Sequence, residues 1–104
     1  MEQIAFRMRL NPGQTAEYKR RHDEIWPALV ELLHEAGIRD YSIFHDEETN
    51  ALFAVLRRRF DHKMDQLPAY EIMQTWWRYM ADIMVTGPEG APEVFALQPL
   101  FHMD

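Results

Sequence analysis

Ile4, Phe6, Met8 and Leu10 alternate with Ala5, Arg7 and Arg9. A period of two predicts a half-buried strand. Asn11-Pro12-Gly13-Gln14 then opens a helix, because Asn can cap, Pro suits the first helical position and Gln14 stands where a capping box wants it. Thr15 competes as the cap. The helix is expected to run to about Ala36, with Gly37 as a left-handed stop. Pro27 lies inside it, lacks an N–H and crowds the carbonyl four residues back, so a kink is expected near Asp23 and Glu24. Residues four apart stack on one face of a helix, which puts Tyr18, His22, Trp26 or Ile25, and Leu29 on a common stripe. Lys19, Arg20, Arg21, Asp23 and Glu24, between them, are charged and are expected in water.

Residues 41–45 read as a second strand, with Tyr41, Ile43 and His45 on one side and Ser42 and Phe44 on the other. Asp46-Glu47-Glu48-Thr49-Asn50 is a polar turn, and residues 51–60 form a third strand, so the pair is a hairpin. A helical turn or two over 61–67 is interrupted at Pro68, and a second main helix is expected over 69–85. Its apolar positions Ile72, Met73, Trp76, Trp77, Met80, Ile83 and Met84 recur at three- and four-residue intervals. Residues 86–92 are a loop by composition, and a last strand over 94–103 is expected to lie near an edge or bulge because of Pro99.

Strand, helix, strand, strand, helix, strand is the ferredoxin-like βαββαβ order of an α+β fold: an antiparallel sheet with both helices on one face. The expectation is a single domain over 1–104. The sheet face without helices needs cover; if that face is apolar, a second copy of the chain is the simplest cover, so a sheet-on-sheet homodimer is expected.

Composition narrows the function classes. With 104 residues, 47% apolar and 27% charged, the chain has the length of one soluble globular domain. There is no cysteine, which removes disulfides, thiolate zinc sites and cysteine nucleophiles. A net charge of −6 argues against nucleic acid, which wants a basic face. Arg7 and Arg9 interrupt the apolar run near the start, so no signal peptide is read, and no stretch approaches the roughly 18 apolar residues of a membrane span. A cytoplasmic location is the default expectation, with no membrane partner.

The chemistry concentrates on the first helix. A stripe that turns both a phenol and an imidazole inward is either hydrogen-bonded core or the wall of a pocket, since an unpaired buried polar group costs about 1–3 kcal/mol. In the expected topology Tyr18 and His22 can meet Trp76 and Trp77 of the second helix and Tyr41 of the second strand. Indole faces stack on the C–H face of a pyranose, phenol and imidazole bond its hydroxyls, and a His moves protons near neutral pH. The alternative is that Trp76 and Trp77 are ordinary core. Adjacent side chains point about 100° apart on a helix, so the two indoles cannot both sit at the centre of one core.

The remaining features carry less. His34 lies near a helix end, where a cation suits the dipole. His45, His62 and His102 are scattered, and no H-x-H or H-x-x-x-H spacing offers a metal site. The four glycines form no phosphate-cradling loop, so no nucleotide cofactor is expected. Arg57, Arg58 and Arg59 read as a solvated strand end paired with acidic residues; an anion site there has no other support.

At these residues the chain resembles the L-rhamnose mutarotase family. The likeness covers nearly the whole chain: Asn11-Pro12, Tyr18-x-x-x-His22 with Arg20-Arg21 inside it, Ile25-Trp26-Pro27, Tyr41, and Trp76-Trp77-x-Tyr79-Met80. The resemblance implies a cofactor-free, dimeric α+β barrel protein that interconverts the α and β anomers of L-rhamnose. Position by position it implies His22 as proton donor and Tyr18, Tyr41, Trp76 and Trp77 as sugar contacts, with no metal. Residues 57–59 and 100–104 carry none of its motifs. Another enzyme of the same fold, of monooxygenase or lactone isomerase type, and a non-catalytic sugar-binding module are the alternatives.

Overall fold

A computed structural model describes all 104 residues. Strand β1 (Glu2–Arg9) is followed by helices α1 (Thr15–Asp23) and α2 (Pro27–Glu35), then by strands β2 (Ile38–His45) and β3 (Ala51–Arg58). A 3₁₀ turn (Met64–Ala69), helix α3 (Glu71–Met80) and the short strand β4 (Phe95–Ala96) complete the chain. The sheet order is β2-β3-β1-β4 and every neighbouring pair is antiparallel. This is the ferredoxin-like α+β arrangement expected from the element order. No helix is long and apolar enough to cross a membrane.

Register decides which side chains meet the helices. Ile4, Phe6 and Met8 stand opposite Leu56, Ala54 and Leu52, and Ile43 and His45 of β2 stand opposite Ala54 and Leu52. Leu52, Ala54, Leu56, Met8 and Leu10 are buried beneath α2 and α3, where Leu29, Met73, Trp76 and Met80 complete the core. Tyr41, Ile43 and His45 therefore share the helix-facing side, as the alternation predicts.

Beta-strand β2 begins at Ile38, ahead of the expected residue 41, because it contains a bulge between Arg39 and Ser42. Asp40 adopts φ +49°, a left-handed conformation that Asp tolerates better than most residues. The extra residue shifts the side-chain parity. Buried Ile38 and cavity-facing Tyr41 thus reach the same face although they are three positions apart.

Pro27 breaks the first helix instead of kinking it. It occupies the first position of α2, where its missing N–H costs nothing. Trp26 before it is extended, with φ −63° and ψ 127°, as a residue preceding proline prefers. Helix α3 stops at Met80 rather than at residue 85, because the chain beyond it is captured by the end of β1: Asn11 N–H donates to Ile83 C=O at 2.9 Å and Val85 N–H to Arg9 C=O at 3.0 Å. The last strand keeps two paired residues and one further bond, Leu97 N–H to Ala5 C=O at 3.0 Å, before Pro99 withholds a donor.

The arginine run behaves as a paired strand end. Arg58 donates to Glu2 at 2.6 Å, and Arg59 lies 3.3 Å from Asp61.

Candidate active site

Between the sheet and the helices lies a cavity of about 920 Å³, within the ~300–1,000 Å³ usual for small-molecule sites. Tyr18, His22, Tyr41, Trp76 and Trp77 all line it. Three elements supply them: α1 gives Tyr18 and His22 one turn apart, α3 gives the two indoles, and β2 gives Tyr41 just past its bulge. Phe6, Met8, Leu29, Ile43 and Leu52 make much of the remaining wall apolar.

His22 is half-buried and held on three sides. Its ring stacks on Tyr18 at 4.3 Å between centroids and meets Trp76 edge-to-face at 5.3 Å. Its Nδ1 lies 3.1 Å from the backbone carbonyl of Tyr18. A carbonyl only accepts, so in the neutral ring Nδ1 carries the hydrogen and Nε2 keeps the lone pair. Burial lowers the imidazole pKa from its ordinary value, opposed by the bond to the Tyr18 carbonyl and by the charge of Asp23. The resting ring at neutral pH is thus a neutral acceptor.

The two phenols are donors. Burial raises Tyr18 well above the usual phenol range, with the neighbouring Tyr41 adding to the shift. Tyr41 keeps 39% of its surface open, while its hydroxyl end lies deep enough that burial pushes it up to about 12. Neither ionises near neutrality, so both present O–H groups to whatever fills the cavity.

The adjacent indoles differ as helical geometry requires. Trp76 is 6% exposed and packs edge-to-face on Trp26 at 5.0 Å and on Tyr79 at 5.7 Å. Trp77 is half-buried and meets the cavity without those aromatic neighbours. One indole is both core and wall, and the other is wall.

Two contributors have no site role in the sequence expectation. Tyr79 sits on the far side of Trp76 and stacks on Trp26 at 5.7 Å, which backs the wall with aromatic rings. Its place three residues after Trp76 was the available signal. Arg21, expected in water, is only 8% exposed. Its charge is tolerated inside because Glu17 and Asp82 pair with it at 2.7 and 2.8 Å. Glu17, four residues earlier, hinted at this; Asp82, 61 positions away, did not.

The histidines do not converge: no three His, Cys, Asp or Glu side chains gather as a metal site would require. His45 borders the cavity but is held by Asn50 at 3.2 Å, and His102 pairs with Asp104 in the tail.

The profile of the L-rhamnose mutarotase family matches residues 3–103. The chain is 62% identical to an L-rhamnose mutarotase of Burkholderia ambifaria over 99% of both chains, and 59% identical to one of Jannaschia sp. over the same shares. The crystal structure of an L-rhamnose mutarotase from Formosa agariphila superposes with a TM-score of 0.92 at 45% identity, covering 100% of each chain. With its fold, its cavity and a likeness that spans its whole length, the chain belongs to the L-rhamnose mutarotase family.

Proposed function

We propose that the protein interconverts the α and β anomers of L-rhamnose, acting as one domain on the free sugar in the cytoplasm, with His22 moving the proton. The observation that carries this is the gathering of the His22 imidazole and the Tyr18 and Tyr41 phenols in a single indole-walled cavity. Opening the ring requires loss of the anomeric hydroxyl proton, cleavage of the bond between C1 and the ring oxygen, and delivery of a proton to that oxygen. Nε2 of His22 takes the first proton. The Tyr18 and Tyr41 hydroxyls serve the ring oxygen, directly or through water they hold. The aldehyde turns and the hydroxyl oxygen re-attacks C1 on its other face, giving its proton back to the phenol or water that supplied it. The imidazolium returns its proton to the new anomeric oxygen; His22 is the proton donor of that half. Such acid–base help supplies ~10²–10⁴-fold, enough for a reaction that already proceeds slowly in water. Trp77, with Trp76 beside it, gives the sugar a face to stack on.

A homodimer belongs to the same proposal. Phe44, Phe53 and Phe95 lie on the sheet face away from the helices and are 63%, 39% and 47% exposed. An aromatic patch of this kind is what an interface covers.

The deciding experiment is NMR measurement of anomer exchange in a panel of free sugars, against each sugar's spontaneous rate. Acceleration with L-rhamnose supports the proposal. Binding without acceleration would make the protein a sugar-binding module, and indifference to sugars would point to another reaction on this fold.

A further inference from the structure

Helix α1 ends at Asp23, one residue after His22, and the chain then breaks for Pro27. A nine-residue helix is marginal alone, and its last turn is where helices fray. The imidazole therefore sits on the part of α1 least able to hold it still by backbone bonds.

Arg21 occupies that turn, and all three of its guanidinium nitrogens are engaged. Nε donates to Glu17 Oε2 at 2.7 Å, Nη1 to the Tyr79 carbonyl at 2.6 Å and to Asp82 Oδ1 at 2.8 Å, and Nη2 to Asp82 Oδ2 at 3.2 Å. The Tyr79 carbonyl is one of the last of α3, which lack helical donors. The guanidinium also lies 4.5 Å from the centre of the Tyr79 ring. From there rings run back to the histidine: Tyr79 on Trp76 at 5.7 Å, and Trp76 on His22 at 5.3 Å. The path leaves α1 at Arg21, crosses to the end of α3 and returns to α1 at His22.

We propose that Arg21 is a positioning residue for the proposed mutarotation, clamping the last turn of α1 to the end of α3 so that His22 stays seated against Trp76. It touches no substrate. Lysine cannot replace it, because a point charge on a flexible stem cannot reach Glu17, Asp82 and a backbone carbonyl together. The inference rests on the mutarotase proposal for its reaction but not for its geometry.

Arg21→Lys and Asp82→Asn test it. Asp82 is 67% exposed on its side chain, so its replacement spares the core. Both variants are expected to fold, to keep KM for L-rhamnose within about twofold, and to lose ~10- to 10²-fold in kcat, the scale of a small misplacement of a catalytic group. The His22 pKa, followed by NMR without sugar, is expected to rise toward the free-imidazole value as water reaches the loosened ring. Arg21→Lys combined with Asp82→Asn should cost little more than Arg21→Lys alone, since both break one clamp. Variants that melt earlier yet keep the wild-type kcat and His22 pKa would overturn the proposal, leaving Arg21 as a fold staple. A wild-type protein that fails to accelerate exchange overturns the mutarotase reading instead, and the substrate-free titration still decides whether the clamp seats the ring.

Discussion

The Nδ1 of His22 lies 3.1 Å from the backbone carbonyl of Tyr18, one helical turn earlier. The same residue supplies the ring on which the imidazole stacks at 4.3 Å. One residue thus sets both the tautomer and the tilt of the imidazole. With Nδ1 spent on the carbonyl, proton exchange with a ligand must pass through Nε2.

Replacing His22 by Ala or Asn is expected to lower catalysed anomer exchange by at least ~10²-fold, the low end for one acid–base group. The fold should survive, since His22 is half-buried and the apolar stripe is untouched. NMR exchange rates above the spontaneous floor read the outcome. A folded His22→Ala protein with the wild-type rate would reduce His22 to packing.

Acid should remove the activity later than a free imidazole would suggest. The folded pKa of His22 is lowered by burial, below the usual value of about 6.5. Between the folded and unfolded pKa values the unfolded chain binds more protons. The His22 contribution to stability is therefore complete above about 6.5 and is lost as pH falls through the folded pKa. The neutral base of the free protein disappears over that same interval, so kcat/KM should fall on an acid limb centred below about 6.5. Tyr41, pushed up to about 12, gives no alkaline limb near neutrality. Activity that instead falls as pH rises through the imidazole range would show that His22 reacts as the cation.

Tyr18→Phe and Tyr41→Phe keep the rings and remove the donors. Each is expected to lower kcat/KM roughly 10-fold, the equivalent of a hydrogen bond worth about 1–1.5 kcal/mol. Steady-state exchange kinetics check this, and a Tyr41→Phe protein indistinguishable from wild type would remove that phenol from the site.

The indoles should separate by consequence. Trp76→Ala empties a site that is 6% exposed and should cost about 3–5 kcal/mol, read as a large fall in melting temperature. Trp77→Ala removes wall and not centre. It should raise KM roughly 2- to 10-fold through a lost stacking contact of ~0.5–1.5 kcal/mol, at smaller cost in stability. The reverse pattern would exchange their roles.

What could be read from the chain follows the range of the physics. Tyr18 and His22 were legible as a pair because four residues along a helix is a fixed vector, and Ile43 and His45 because a strand has period two. Tyr41 held its predicted face although the bulge at Asp40 was unforeseen, since the bulge lies before it and shifts only Ile38. At Pro27 the sequence predicts a kink where the helix breaks, because local chemistry tells where a helix is disturbed but not whether tertiary contacts restart it. The burial of Arg21 is not legible locally because it depends on Asp82, and nothing nearby in the chain announces a partner 61 residues away.

The sheet face opposite the cavity carries a row of aromatic side chains. Phe44 is paired in register with Phe53, Phe53 with Arg7, and Arg7 lies 4.9 Å above the ring of Phe95. These side chains run across all four strands on the side with no helix. Phe44, Phe53 and Phe95 keep 63%, 39% and 47% of their surface exposed, a contiguous apolar area that a second copy would bury. Sedimentation at micromolar concentration should therefore give twice the chain mass of 12.5 kDa. Phe53→Glu places a charge in the middle of the patch, where burial without a partner is costly, and should shift the protein to monomer. The cavity lies on the other face and its five predicted residues come from one chain, so the monomeric variant should still accelerate anomer exchange. A wild-type monomer would sink the dimer, and a folded, inactive Phe53→Glu monomer would show that the second copy supports the site.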